Sequence, residues 1–144
     1  MSTITTLSIV CPKCHKQTVF TIDTAVEYSG CHCAACKTDF TVQLATVRSK
    51  STRADKAARK NYHSVRIYTP SNDERLMDFE TGLTPVEMKA NDNVIFIYLN
   101  DVLHIVQNKT INQYYIVKDA RFGWAGILVG VLFVLFIVFK LSQK

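Results

Sequence analysis

Hydrophobic and polar positions alternate in short runs along most of the chain. The period is two, which marks strands half-buried in a sheet. Val19-Phe20-Thr21-Ile22-Asp23 and Ala25-Val26-Glu27-Tyr28 read as the arms of a hairpin, and Phe40-Thr41-Val42-Gln43-Leu44 as a third strand. Val65-Arg66-Ile67-Tyr68 is stopped by the turn cluster Thr69-Pro70-Ser71-Asn72-Asp73, and a weaker strand covers residues 76–79. Residues 94–99 and 102–106 flank Asn100-Asp101, a pair that tolerates the left-handed backbone of a two-residue hairpin loop. A last strand covers residues 113–117. Five short strands between residues 64 and 118 predict a small β-barrel, SH3-like or OB-like.

Two segments break this pattern. Residues 48–63 contain no Gly or Pro and set Ala54, Ala57 and Ala58 among charges, which predicts a short helical connector. Phe122 to Phe139 is an uninterrupted run of eighteen residues without an ionisable side chain, followed by Lys140. As a helix it would span about 27 Å, close to the ~30 Å hydrocarbon core of a bilayer. It predicts a single C-terminal transmembrane helix over residues 120–141. Gly126 and Gly130, with Gly123 one turn earlier, would place bare backbone on one face for close helix–helix packing or self-association. Residues 1–10 have neither a basic region nor an apolar core, so no export signal is expected. The implied protein is single-pass and tail-anchored in membrane lipid, with its N-terminal part facing the cytosol.

Charge changes the picture at one place. The chain of 144 residues has a net charge of +5, and residues 48–60 alone hold six bases against one acid. Arg48, Lys50, Arg53, Lys56, Arg59 and Lys60 are therefore candidates for contact with anionic lipid headgroups or nucleic acid. Few aromatic residues interleave them, which argues against stacking on single strands.

The chemistry lies in the cysteines. Cys11-Pro-Lys-Cys14 and Cys33-Ala-Ala-Cys36 are two C-x2-C pairs separated by 18 residues. Two thiolates on a tight turn supply half a tetrahedron, so two such turns complete a zinc site. Turn, hairpin, turn and strand together resemble a zinc ribbon over residues 5–47. Cys11-Pro-Lys-Cys14-His15 also matches the c-type haem attachment pattern, but that would need export and leaves the second pair unexplained. A thioredoxin-like redox pair would need a βαβ context that is missing. Cys31 could replace Cys33, although the x2 spacing favours Cys33, and His15 and His32 flank ligands. Four thiolates close the shell, so the one zinc expected is structural. It would stand in for the core that a 45-residue module cannot build.

The hairpin around Asn100-Asp101 has one further property. Pairing outward from the loop sets Leu99 opposite Val102, Ile97 opposite His104 and Ile95 opposite Val106, and both faces are apolar. One face should line the barrel. The other needs a cover: the ribbon, a partner protein or the membrane surface. His104 reads as a structural histidine. No nucleotide-binding, hydrolase or metalloprotease motif occurs.

These readings combine into a mainly β chain: zinc ribbon (1–47), basic connector (48–63), small β domain (64–118) and transmembrane anchor. The function expected is that of a non-catalytic adaptor, scaffold or accessory subunit of a membrane-associated complex. A membrane-tethered nucleic-acid binder is the alternative, and a thiol oxidoreductase a distant third.

Overall fold

A computed structural model describes residues 4–117, 135–140 and 142. Nine strands account for nearly all of its regular structure: β1 (Ile4–Val10), β2 (Gln17–Asp23), β3 (Tyr28–His32), β4 (Asp39–Asp55), β5 (Lys60–Tyr68), β6 (Glu74–Thr81), β7 (Asn93–Leu99), β8 (Val102–Asn108) and β9 (Gln113–Ile116). β1 and β2 form a two-stranded sheet. The others form a seven-stranded sheet in the order β6-β5-β4-β7-β8-β9, with β3 paired to the first part of β4. All pairings are antiparallel.

The expected architecture is corrected in several respects. β2 pairs with β1 instead of forming a hairpin with the segment that follows it. The boundary drawn at residue 47 falls inside β4, whose 17 residues pair in turn with β3 and β5 along one edge and with β7 along the other. The basic segment is no helix: residues 48–55 end β4, residues 60–63 begin β5, and Arg59 takes a left-handed conformation at the turn between them. Cross-strand hydrogen bonds override a helix propensity that separates ordinary residues by only about 0.7 kcal/mol at most. β6 and β9 are the two ends of the sheet path and do not pair, so no SH3-like or OB-like closure occurs among the described residues.

The transmembrane helix and the membrane localisation drawn from it are corrected too. No helix among the described residues is long and apolar enough to cross a membrane. Helical residues are described at 135–140 and 142. The rest of the predicted span, residues 120–134 and 141, lies outside the described residues. Gly123, Gly126 and Gly130 lie outside the described residues.

Both faces of the β7–β8 hairpin are buried, in two different cores. Ile95, Ile97 and Ile105 pack with Val42 and Phe40 against Leu7, Ile9 and Ile22 of the two-stranded sheet. Val94, Phe96 and Val106 pack on the opposite side with Val47, Val65, Ile67 and Phe79, under Val86 and Met88 of the 82–92 loop. The hairpin loop is Asn100 (φ 51°) and Asp101 (φ 62°), and Leu99 opposes Val102 as the pattern implied. The next pairs differ. A bulge makes His104 the extra residue, so Ile97 faces Ile105 and Ile95 faces Gln107.

Candidate metal centre

The two cysteine turns have the same backbone. In the first, Cys11 N–H donates to Lys16 O (3.0 Å), His15 N–H donates to Cys11 O (3.0 Å), and His15 is left-handed at φ 59°. In the second, Cys33 N–H donates to Thr38 O (2.9 Å), Lys37 N–H donates to Cys33 O (2.8 Å), and Lys37 is left-handed at φ 61°. The first turn joins β1 to β2 and the second joins β3 to β4. Each sheet thus contributes half of the site, and the cysteines meet at the seam between the sheets.

The four Sγ atoms lie within 4.8 Å of one another. Cys11 Sγ is 3.6 Å from Cys36 Sγ, and Cys14 Sγ is 3.7 Å from Cys33 Sγ. A regular tetrahedron with Zn–S near 2.3 Å has edges of about 3.8 Å, so the set fits a single tetrahedral metal ion. Cys11 and Cys33 are fully buried, Cys36 is half-buried and Cys14 is exposed.

The electrostatics divide the set. Burial pushes the Cys11 thiol up, to about 12. Cys36 is held down, to about 6, first by the Thr38 hydroxyl 3.3 Å from its sulfur. The Cys36 backbone N–H holds Cys33 below the usual thiol range. Thiolate character therefore concentrates on the second turn, and a divalent cation at the centre favours ionisation of all four.

The flanking residues stay outside the cluster. Cys31 is buried on β3 and belongs to the apolar core; desolvation raises its thiol to about 11. His32 Nδ1 is 2.7 Å from Asp39 Oδ1 at the surface. His15 occupies the left-handed position of its turn. The haem pattern is also disfavoured by placement, because Cys11 and Cys14 both meet cysteines of the other turn.

The six bases do not form one surface. Arg48 Nη1 is 2.8 Å from Glu74 Oε2, and Lys60 Nζ is 3.2 Å from Glu80 Oε2. Lys50 turns inward and donates to Val86 O. Arg53 lies 4.8 Å from the centroid of the Tyr62 ring. Lys56 and Arg59 stand at the exposed end of the β4–β5 hairpin. β6 thus brings carboxylates beside two of these bases, a neighbourhood 20 residues or more away in sequence.

Two residues near the cysteine turns carried no motif in the sequence. Thr38 follows the second pair by two residues, close enough for its hydroxyl to meet the Cys36 sulfur. Gln107, whose side chain accepts from Val10 N–H next to Cys11, is buried at 2 % exposure on a hairpin face otherwise lined by isoleucines, and only that interruption of the apolar pattern marks it. No family model matches the chain, and neither a curated protein nor a solved structure matches it.

Proposed function

We propose that the protein is a zinc-stabilised, non-catalytic interaction module, acting as an adaptor, scaffold or accessory subunit. The observation that carries this reading is the four-sulfur cluster within 4.8 Å. A tetrahedral all-sulfur set suits zinc, and four thiolates leave no position for water or substrate. Bound there, zinc would cross-link the two sheets at their seam and offset the small size of the two-stranded sheet. Contact surface would come from what remains exposed, such as Leu76 on β6 and the uncharged edge strand β9 with Tyr114 and Ile116. A nucleic-acid-binding role draws support from Arg53, Lys56 and Arg59, which have no acidic partner among the described residues.

Metal analysis of the purified full chain tests the reading, with one zinc per chain expected. Cobalt substituted for zinc should give the absorption of tetrahedral sulfur ligation, unchanged by added imidazole or cyanide. A metal-free native chain, or a cobalt spectrum that shifts with such ligands, would overturn the structural assignment. Zinc-dependent turnover of a substrate would overturn the non-catalytic one.

A further inference from the structure

The two halves of the metal centre belong to different sheets, so something must set the position of one sheet on the other. Apolar packing resists separation but resists sliding poorly, because dispersion and burial are non-directional. Hydrogen bonds between the layers are directional, and one residue makes two of them. Gln107 lies on β8, opposite Ile95 on β7, on the face that the two-stranded sheet covers. Its Nε2 donates to Ser8 O at 2.8 Å, and its Oε1 accepts from Val10 N–H at 3.2 Å. Ser8 O and Val10 N–H point from the edge of β1 that does not face β2. A neighbouring strand would engage such a pair, and here one side-chain amide does.

We propose that Gln107 is a positioning residue for the metal centre, fixing β1 so that Cys11 and Cys14 meet Cys33 and Cys36. Val10 is the residue immediately before Cys11, so the bond to its N–H ends one residue from the first ligand. Donor and acceptor come from one rigid amide, and together they set both the height and the register of β1. A slip by one residue would reverse every side chain of β1 and carry the first turn away from the second. A second polar link between the layers, Gln17 Nε2 to Asn112 Oδ1 at 3.3 Å, is exposed and lies beyond the cysteine turn. The burial of Gln107 makes sense on this account. An amide at 2 % exposure among isoleucines costs stability unless its hydrogen bonds are made, and it makes bonds through both its nitrogen and its oxygen.

This assignment rests on the zinc reading, and the test separates the two. Zinc affinity of the full chain is measured by competition with a chromophoric chelator, for the wild type, Gln107→Ala and the near-isosteric Gln107→Met. Val65→Ala is the control: Val65 is equally buried, but in the core that does not touch the two-stranded sheet. Both Gln107 variants should bind zinc about 10-fold or more weaker, the range for residues that orient ligands from behind. Amide exchange at Val10 should accelerate in both. Val65→Ala should lower the unfolding midpoint while zinc affinity stays within about 2-fold, since it removes no contact near the ligands. Should Gln107→Ala fail to fold, Gln107→Met keeps the volume and carries the measurement. A wild type that binds zinc together with Gln107 variants of equal affinity would overturn the assignment and leave the zinc reading standing. A wild type without metal would overturn both.

Discussion

Ile97 separates a surface that could meet a partner from one that is already occupied. It is fully buried between the seven-stranded sheet and the two-stranded sheet, with Ile95, Ile105 and Val42 around it. Ile97→Val removes one methylene and should cost about 0.5–1.5 kcal/mol. Ile97→Ala should cost about 2–5 kcal/mol, the upper end applying if the layers cannot close over the cavity. Ile97→Asp adds a carboxylate to an apolar layer, which costs several kcal/mol more. A domain of this size has roughly 5–15 kcal/mol in total. The Ala variant should therefore fold, and the Asp variant should be largely unfolded at neutral pH. Urea unfolding followed by far-UV circular dichroism measures this on the zinc-loaded full chain. With a slope of about 1.5 kcal/mol per M, a 3 kcal/mol loss lowers the midpoint by about 2 M. Leu76→Asp is the reference: Leu76 is 59 % exposed on β6 and should shift stability by no more than about 0.5 kcal/mol. An Ile97→Asp protein that unfolds at the wild-type midpoint would refute the reasoning. It would mean that the two-stranded sheet does not cover this face and that the hairpin is open to partners.

Three further outcomes are expected. Chelation, or Cys14→Ser, should release the two-stranded sheet and raise binding of an apolar dye, whereas Cys31→Ser should keep one metal per chain; wild-type dye binding after complete metal removal would count against the seam. His63, held between the Thr52 and Thr81 hydroxyls, has its imidazole below the usual range because it is buried and near Lys50. The unfolded chain therefore takes up the proton first, so stability should be full above about pH 6.5 and fall as pH drops towards the folded value. His63→Gln, which keeps the metal site, should flatten that slope in pH-resolved denaturation. If Arg53, Lys56 and Arg59 touch nucleic acid, three phosphate contacts predict a log–log salt slope no steeper than about −3, lost when all three become Gln; a much steeper slope would mean that the ion-paired bases also bind.

Local chemistry is what could be read directly. The C-x2-C spacing brings two sulfurs together within one turn whatever surrounds it, so all four clustered cysteines were legible before any fold was known. Asn100 and Asp101 tolerate left-handed backbone, so the β7–β8 loop was legible as well. Alternation located most strands, because one or both faces of each had to be buried. Contacts distant in sequence were not legible. The segment 48–63 has helix-forming residues, but β4 and β5 form there because neighbouring strands take up their backbone hydrogen bonds. The bulge at His104 shifts the pairing of one strand against the other by a residue, and alternation alone cannot reveal such an offset. The hairpin's two apolar faces showed that a cover was needed, but only the packed layers decide that the two-stranded sheet provides it. Gln107 reaches Val10 across 97 positions. A pairing of that range depends on how two sheets stack, which no local pattern encodes, and it places the first cysteine turn against the second.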